Sequence, residues 1–520
     1  MGKIYTIFIG GSGARVLRSL VMLLASGVKP SVCNEIVPIV IDYDKENADL
    51  VRALEAIENY RDLHNSVYRD GRNEELEGFF STKLSAVGEK DGSKGSFFVS
   101  IPGSEVTFAN KIGFEDMDNL SKKFLTTLYS DWSDKDRAVW QSEQVDMNEL
   151  NLNIKKGFKG NPNIGSAIFN EVLDMDIMKN FLNSVGEGDR VFVVGSIFGG
   201  TGATGIPQIV SRCRNMGSRV KNAPIGLNMI LPYFALNTDS NKEANSTIDS
   251  NTFYSKTKAA LYYYENAINE KVQEIYYIGV PNPKKIENND GGSDQKNEAH
   301  IVDLLSAMSI IEFGSRPDME LDVEATSANS YIYNATEDSD YTLDVFAGKG
   351  QENLLGRYLY PFKSFGYFWS HYRTNIKPNG SGKVADCPTG LFSSPKVYYK
   401  YCFMDKSNDS FRAFKGSLEN FLFMKNSQRS DFDYSYESWL KELDKMGFSP
   451  FLLDERHDYT TMVKKGKSSI TGNTKDNIVA KYDNIASIKM KEDKEKNASK
   501  QTVFINMASA ACMELAKSSK

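Results

Sequence analysis

Short apolar runs alternate with stretches of helical periodicity through the first half of the chain. The run 4–9 is mostly apolar and leads through Gly10-Gly11-Ser12-Gly13 into residues 14–24, where leucine and valine recur at helical spacing. A second apolar run, 36–41, closes in Asp42-Tyr43-Asp44. Strand, glycine loop, helix and strand in this order form a βαβ unit, which predicts a parallel sheet.

The same alternation of apolar runs and helical stretches resumes over residues 164–280. It predicts a helix over 164–184, a buried strand over 190–195, a helix after Ile206, strands over 225–231 and 274–280, and a helix over 256–268. Together with the first βαβ unit, these elements predict a doubly wound α/β domain over residues 1–296. Residues 55–153 are polar and mixed, with glycine-rich turns near 89–95, and are predicted to form an insertion of helices and a hairpin.

The pattern changes near residue 297. A long apolar-periodic helix is predicted over 297–314 as the connector to a second domain. From residue 315 aromatic side chains become dense, as at Tyr331 and Tyr333, and alternating runs such as 397–403 read as strands. These features predict a C-terminal α+β domain over 315–488.

The last residues, 489–520, combine a charged run with a short amphipathic helix near 503–515. Such a run is usually a solvated face or a flexible tail. Contact of this tail with a protein partner or an anionic membrane is the alternative.

Composition narrows the class of protein. The 520 residues are 41% hydrophobic and 25% charged, with a net charge of −6 and scattered basic residues, so nucleic acid is not expected as a partner. The five cysteines and four histidines are dispersed, which favours neither a zinc site nor a disulfide framework. We find no leader sequence and no apolar stretch long enough for a membrane span, which predicts a cytoplasmic location.

The second glycine loop, residues 195–205, carries the most specific chemistry. Its glycines free backbone N–H groups just before a predicted helix, a geometry that binds phosphate. No Gly-Lys-Ser/Thr follows, so it is not a Walker A loop.

At this loop the sequence resembles the tubulin/FtsZ superfamily, as a divergent bacterial tubulin-like GTPase. Gly199-Gly200-Thr201-Gly202 and Pro207, after an apolar strand, are similar to the superfamily's GGGTGS/TG loop and the early proline of the helix that follows. Gly10-Gly11-Ser12-Gly13 resembles the first phosphate loop, although Arg15 stands where FtsZ usually has asparagine. The resemblance covers about residues 4–325 and includes further loops in the family's order.

The resemblance implies GTP or GDP with Mg²⁺ as the cofactors, in a tubulin/FtsZ-like GTP-binding domain. Asp44 would lie near the phosphates and reach Mg²⁺ through water, and Asn297 would read the base unless it is only a helix N-cap. The nucleotide-binding residues implied are Gly10, Gly11, Ser12, Gly13, Asp44, Gly160, Asn161, Pro162, Gly199, Gly200, Thr201, Gly202 and Asn297.

The resemblance also implies head-to-tail filaments, because in this family the loop after the central helix completes hydrolysis on the neighbouring subunit. Here that loop carries Glu320, Asp322 and Glu324 as candidate catalytic carboxylates, with Asp322 favoured. Alternation of the three on an extended segment could equally be the solvated face of a strand.

Two other functions stay open. The departure of the post-helix loop from the FtsZ pattern would also suit a nucleotide-locked assembly scaffold with little or no GTP turnover. An NAD(P)-dependent oxidoreductase would use the first glycine loop with Asp42 and Asp44, but it leaves the second glycine loop unexplained.

Overall fold

The computed structural model describes most of the N-terminal two thirds of the chain and parts of the rest. The described residues are 2–68, 78–89, 94–100, 107–129, 149–158, 160–215, 219–236, 253–280, 283–286, 292–334, 358, 361–362, 364–366, 368, 432–448, 478–496, 498 and 500–517. The strand predicted over 397–403 and most of the predicted α+β domain lie outside this set.

Among the described residues, eight strands form one parallel sheet in the order β10-β8-β6-β5-β1-β2-β3, with β4 also paired to β2. A separate parallel pair joins β7 to β9. The strands are β1 (Lys3–Ile9), β2 (Glu35–Asp42), β3 (Lys83–Leu84), β4 (Phe98–Ser100), β5 (Arg190–Ser196), β6 (Ile225–Ile230), β7 (Phe234–Leu236), β8 (Glu274–Gly279), β9 (Lys284–Ile286) and β10 (Asn329–Asn334).

The α-helices of the described residues are α1 (Gly10–Ala25), α2 (Ala48–Tyr68), α3 (Phe108–Lys111), α4 (Asn119–Tyr129), α5 (Pro162–Leu173), α6 (Asp176–Ser184), α7 (Gly200–Asn215), α8 (Phe253–Ala267), α9 (Ile301–Ser315), α10 (Phe432–Lys445), α11 (Ile478–Glu495) and α12 (Lys500–Lys517). They cover both faces of the sheet. Helices α1, α2, α9, α10 and α12 share one apolar core, and α5, α6 and α7 share the other.

Strand β1 shows why both faces are covered. Its even-numbered Ile4 and Phe8 point into the core around α1 and α9, while Tyr5, Ile7 and Ile9 point into the core around α5 and α7. A parallel strand buried on both faces is apolar at almost every position, which is the pattern seen in the sequence. The doubly wound α/β architecture is therefore confirmed.

Two predicted elements differ in detail. The single helix predicted over 164–184 is two helices, α5 and α6, separated at Asp174 and Met175. The predicted insertion is partly integrated into the main sheet, because β3 and β4 both pair with β2. An antiparallel bridge between Val87 and Ser96 spans the glycine-rich turn, as expected for a hairpin.

Strand β10 corrects the expectation for Tyr331 and Tyr333. These aromatic residues were assigned to the C-terminal domain, but β10 pairs with β8 along its whole length and forms an edge of the main sheet. Tyr331 stacks on Tyr276 of β8, with ring centroids 5.0 Å apart. The main sheet therefore extends past the central helix.

The last described helices pack against the main domain, whereas a charged tail was expected there. Helix α12 buries Val503, Phe504 and Cys512, and the Thr502 hydroxyl donates to the Val67 carbonyl of α2 at 2.6 Å. The charged run lies in α11, where Lys489 pairs with Asp493 at 3.2 Å. Within the described residues, no helix is both long and apolar enough to cross a membrane.

Candidate functional site

The two predicted phosphate loops lie side by side at the carboxyl edge of the main sheet. Strands β1 and β5 are neighbours, with Ile9 opposite Gly195, so Gly10 and Gly199-Gly200 follow at the same level. Gly10 has a φ of +71°, which favours glycine, and a Cβ built there would lie 3.5 Å from the Thr201 Cβ. The sequence-predicted glycine residues are thus brought together.

Both loops merge directly into helices. Gly10 begins α1 and Gly200 begins α7, so the helix predicted after Ile206 starts six residues earlier. Pro207 lies inside α7, near its first turns. Close packing requires Gly202, because a Cβ there would lie 2.4 Å from the Ser196 carbonyl oxygen.

Three helix N-termini at this edge lack the groups that normally neutralise them. The first turns of α1, α5 and α7 contain no acidic residue, and the N-cap residues Ile9 and Asn161 provide no side-chain hydrogen bond. Helix α9, in contrast, has a capping box. The His300 Nδ1 accepts from the Val302 backbone nitrogen at 3.1 Å, and the Asp303 Oδ2 accepts from the His300 backbone nitrogen at 2.9 Å. Free first-turn N–H groups together with the helix dipole favour an anion.

A third loop, which contains Gly160, Asn161 and Pro162, covers the second glycine loop. Gly160 has a φ of +78°, and its carbonyl accepts from the Lys256 ammonium at 2.7 Å. A Cβ built on Gly200 would lie 2.7 Å from Phe158 Cβ and 3.2 Å from the Asn161 backbone nitrogen. The loop that contains Gly160, Asn161 and Pro162 therefore leaves no room for a side chain at Gly200.

The segment Asp42-Tyr43-Asp44, at the end of β2, holds a second buried carboxylate besides the predicted Asp44. Asp44 is buried, and its two oxygens accept from the backbone nitrogens of Glu46 at 3.1 Å and Gly292 at 2.5 Å. Asp42, which ends β2, is also buried, but within the described residues its Oδ2 has no hydrogen-bond partner. Burial raises the pKa of Asp42 to about 7, and the nearby Asp44 and Asp49 carboxylates add to the rise.

The Asp42 and Asp44 carboxylates could supply only part of the ligands of a Mg²⁺ ion. In the described part of the chain, no group of three or more His, Cys, Asp or Glu side chains is placed to hold a metal ion. Mg²⁺ commonly uses one or two carboxylates together with substrate phosphates and water. The unpartnered oxygen of Asp42 could supply such a carboxylate, beside Asp44, which was predicted to reach Mg²⁺ through water.

Asn297 lies elsewhere than expected. Helix α9 begins at Ile301 and is capped by His300, so Asn297 is neither on a helix face nor the N-cap. Its backbone nitrogen and its side-chain Nδ2 donate to the two oxygens of Asp49, at 3.1 Å and 3.0 Å. This correction follows from the capping box, which fixes the start of the helix at Ile301, four residues later than its apolar pattern suggested.

Sequence reasoning missed a buried ionic network beside the first glycine loop. The Arg15 guanidinium donates to Asp49 Oδ2 at 2.8 Å, to Ser12 Oγ at 3.2 Å and to the Tyr233 hydroxyl, and its Nε lies 3.8 Å from Asp303 Oδ2. Burial raises the pKa of Asp303 to about 6, against the opposing effect of Arg15. The signal in the sequence was a pair of arginines, Arg15 and Arg18, within a largely apolar helix.

The network continues to the C-terminal part of the chain. Glu442 of α10 accepts from Arg18 at 2.6 Å, from Arg52 at 2.9 Å and from the Ala299 backbone nitrogen at 3.1 Å. Arg52 also donates to Asp49 at 2.5 Å. Helices α1, α2, α9 and α10 are therefore held together by paired charges next to the site.

A cleft of about 520 Å³ opens beside this network. Arg15, Tyr233 and Asn297 line it, and the pairing of β7 with β9 places Phe234 opposite Lys284 in its wall. Lys285, Ile286, Lys296, Glu298, Lys445 and Met446 complete the lining. A cleft of this volume is within the usual range for a small-molecule site.

The candidate catalytic carboxylates lie at the opposite edge of the sheet. Arg190, at the start of β5, is fully buried and donates to the carbonyls of Phe313 and Arg316 and to Asp318, each at 2.6 Å. Arg316 pairs with Glu274, at the start of β8, at 2.9 Å. The loop after α9 is therefore fixed to the amino ends of the strands.

Within this loop the three predicted carboxylates do not lie on an extended strand. Glu320 ends a short 3-10 helix, Asp318–Glu320, and lies 3.6 Å from Arg316. Asp322 Oδ1 accepts from the Glu324 backbone nitrogen at 3.0 Å, as in a turn. Asp322 and Glu324 are exposed, and within the described residues neither has an ion-pair partner.

Comparison with known proteins gives weak matches. No protein-family model and no curated protein matches the chain. Among solved structures it is similar to CetZ from Methanosaeta thermophila strain DSM 6194, with 14% identity, a TM-score of 0.24, and coverage of 54% of this chain and 46% of that chain. It is also similar to CetZ2 from Haloferax volcanii, solved as a GTPγS-bound protofilament, with 12% identity, a TM-score of 0.28, and coverage of 60% and 57%.

The chain thus spans about half the length of these solved structures. Both TM-scores are low, so neither likeness indicates a function for this chain.

Proposed function

We propose that this protein binds a guanine nucleotide on its glycine loops and assembles head to tail, with GTP hydrolysis completed between subunits. One observation carries the proposal. Helix N-termini without acidic residues meet at one edge of the sheet, and exposed carboxylates lie at the other.

The glycine loops supply the phosphate site. The first-turn N–H groups of α1, α5 and α7 would donate to phosphate oxygens, and the absence of side chains at Gly10, Gly11 and Gly200 allows close backbone approach. Mg²⁺ would neutralise phosphate charge, with Asp42 as the carboxylate able to contribute directly or through water. Asp44 supports the loop through its backbone hydrogen bonds.

The separation of the two edges explains why a second subunit is needed. The 15-residue helix α9 runs from the cleft to the carboxylate loop, a length of about 22 Å at the usual helical rise. The carboxylates of one chain therefore cannot reach a nucleotide on the same chain. A contact between opposite edges of two copies is heterologous and does not close, so repetition gives a filament.

Asp322 is the best placed carboxylate for hydrolysis. Asp318 and Glu320 already face Arg190 and Arg316, whereas Asp322 is exposed and uses Oδ1 to shape the turn. In an adjoining subunit it would accept a proton from, or orient, the attacking water, a role that general bases perform in phosphoryl transfer. Glu324 is the second candidate.

The experiment that tests this proposal measures phosphate release and right-angle light scattering over a protein concentration series, with GTP, GDP or ATP and Mg²⁺. A scattering threshold specific to GTP, with turnover that rises cooperatively above it, is the expected result. Absence of nucleotide binding would refute the proposal.

A nucleotide-locked scaffold is the second candidate. It is favoured by the two arginines that already engage Asp318 and Glu320, which leaves fewer free carboxylates for catalysis. GTP-dependent scattering without phosphate release would identify it. NAD(P) or flavin absorbance in the purified protein would instead support an oxidoreductase.

A further inference from the structure

A short segment that precedes helix α9 lies against the first glycine loop. Residues 292–296, here called the strap, begin with a 3-10 helix, Gly292–Asp294, and continue without regular structure to Asn297. The strap is far from the glycine loop in sequence, so its contacts there arise only from the tertiary fold.

The strap fills the side of Gly11 that carries no side chain. A Cβ built on Gly11 would lie 3.7 Å from Nε2 of Gln295, in the strap, and 3.1 Å from Nδ2 of Asn47, which directly precedes α2. Asn47 Nδ2 donates to Gln295 Oε1 at 3.4 Å, so the two amides meet beside the loop. The proposed phosphate site needs this space, because phosphate approaches backbone N–H groups closely only where side-chain bulk is absent.

The strap also engages a carboxylate at the same edge of the sheet. The Gly292 backbone nitrogen donates to Asp44 Oδ2 at 2.5 Å, while Asp44 Oδ1 accepts from the Glu46 backbone nitrogen at 3.1 Å. The sequence predicts that Asp44 lies near the phosphates. The strap and a bound nucleotide would therefore use the same surroundings of Gly11 and Asp44.

The residues that follow the strap are anchored by several hydrogen bonds. Asn297 donates to Asp49 from its backbone nitrogen at 3.1 Å and from its Nδ2 at 3.0 Å, and its carbonyl accepts from Arg52 at 2.7 Å. The Ala299 backbone nitrogen donates to Glu442 of α10 at 3.1 Å. This end of the segment is thus fixed to α2 and α10.

The strap itself is held less firmly than this anchor. Within the described residues, its hydrogen bonds to the rest of the chain are those with Asp44 and Asn47. The second, at 3.4 Å between neutral amides, is long and therefore weak. We propose that the strap is an autoinhibitory gate, which swings about Asn297 and must leave its place before a phosphate group reaches Gly11.

This inference rests on the nucleotide binding proposed above and specifies how that binding is regulated. Where a ligand binds only the open form of a protein, its apparent affinity is reduced in proportion to the open fraction. A change that destabilises the closed strap should therefore strengthen nucleotide binding. A change that holds the strap closed should weaken it.

Gly292→Ala destabilises the closed strap without a clash. Gly292 has a φ of +74°, which alanine rarely adopts, and a Cβ there would have no atom within 4 Å. We expect a fluorescent GTP analogue, with Mg²⁺ and the full chain, to bind about 5- to 30-fold more tightly, through faster association. Stopped-flow fluorescence measures the association and dissociation rates.

Gly188→Ala is the matched control for this variant. Gly188 has a φ of +80°, and a Cβ there would also have no atom within 4 Å, but it lies in the turn before β5, at the opposite edge of the sheet. Its nucleotide binding should equal that of the natural protein. Unchanged rates in Gly292→Ala would overturn the inference. Faster dissociation with unchanged association would also overturn it, because the strap would then hold a bound nucleotide in place.

A cleavable tether tests the opposite direction. Asn47→Cys and Gln295→Cys place thiols where the two amides meet, and a short bis-methanethiosulfonate joins them until a reductant releases them. Cys387→Ser and Cys402→Ser are included, and the natural cysteines of the described residues are buried. Tethering, confirmed by mass spectrometry, should slow association by at least about tenfold, and reduction should restore it. Equal association rates before and after reduction would contradict the gate.

The outcomes separate the gate from the proposed function. Nucleotide binding that neither Gly292→Ala nor the tether changes leaves the proposed function intact and defeats only the gate. If no nucleotide binds to the natural protein, to Gly292→Ala or to the reduced cysteine variant, the proposed function fails, and the gate fails with it.

Discussion

The two edges of the main sheet differ in the chemistry that they present. At the carboxyl edge, helix N-termini without acidic residues and a lysine-lined cleft offer donors. At the amino edge, a loop exposes carboxylates on a base of buried arginine contacts. Because every strand pairing in this sheet is parallel, each kind of group collects at one edge, and the chain has two unlike ends.

The edges also differ in whether their polar groups have hydrogen-bond partners within the chain. The carboxylate loop is held by Arg190, whose three hydrogen bonds lie within the chain. The helix N-termini of α1 and α5 lack side-chain caps. The carboxylate loop is thus held by contacts within the chain, whereas the helix N-termini of α1 and α5 have first-turn N–H groups without a side-chain partner.

The largest expected effect is at the donor edge. Gly200→Ala places a Cβ 2.7 Å from Phe158 Cβ and near the Asn161 backbone, so the third loop must move away from the phosphate site. We expect nucleotide affinity to fall by at least about 100-fold, as for displaced positioning groups. Equilibrium binding of a fluorescent GTP analogue measures it.

Its control is Gly186→Ala near the other edge, where a Cβ would lie 3.5 Å from Asp189 Oδ2, an ordinary contact. Circular dichroism checks that both variants fold. If Gly200→Ala unfolds, Gly11→Ala replaces it, because its Cβ would meet only the side-chain ends of Asn47 and Gln295. Normal GTP affinity in a folded Gly200→Ala protein would remove this loop from the site.

At the carboxylate edge, Asp322→Ala should slow GTP hydrolysis by about 100-fold, because a general base is lost, while nucleotide binding stays unchanged. Single-turnover phosphate release measures the rate, and Asp174→Ala, on an exposed carboxylate paired with Arg212, is the control.

A mixture of two variants tests both edges of the sheet in one experiment. Asp322→Ala subunits keep the donor edge and Gly200→Ala subunits keep the carboxylate edge, so a mixture should recover part of the activity that each lacks. Strictly additive rates in the mixture would argue against a site shared between subunits.

The next effect concerns pH. The pKa of Asp42 is raised to about 7 by burial, whereas an unfolded aspartate titrates near about 4. Stability from this group is therefore present at low pH and lost as the pH rises through about 4 to 7. Asp42→Asn should be more stable than the natural protein at about pH 8 by up to about 4 kcal/mol, with a smaller difference at about pH 5. Urea unfolding without nucleotide at both pH values measures this, and a difference independent of pH would contradict it.

The smallest effect tests how the carboxylate loop is held. Arg190→Met leaves the buried Phe313 carbonyl, the partly buried Arg316 carbonyl and the exposed Asp318 carboxylate without their donor, and we expect a loss of about 3 kcal/mol in the free energy of unfolding. Arg212→Met removes an exposed pair with Asp174 and should cost under about 1 kcal/mol. Equal losses in the two variants would show that the buried contacts add little.

Much of the main sheet follows from sequence pattern. The strands β1, β2, β5, β6 and β8 coincide with predicted apolar runs, because strands buried on both faces are apolar along their length. Strand β10 was not recognised, since its alternating aromatic residues are also typical of a separate domain. The split between α5 and α6 was missed for a similar reason, because helical periodicity continues across Asp174.

For the candidate site, the glycine loops were predictable because their spacing after strands is a local feature. The roles of Asp42 and Asp44 were not, because which carboxylate oxygen is left unpartnered depends on Gly292, 248 residues away from Asp44. The role of Arg15 likewise depends on its contacts with Tyr233 and Asp303, which are distant in sequence.

The sequence by itself determined the order of the buried strands β1, β2, β5, β6 and β8, the glycine loops at the ends of β1 and β5, and the acidic composition of 318–324, because these depend on side-chain periodicity and local backbone freedom. Only the tertiary structure decided which edge each loop occupies, which acids and arginines neutralise one another, and that a donor-lined cleft adjoins the phosphate loops. Those features depend on contacts between residues hundreds of positions apart, for which a single sequence carries no local pattern.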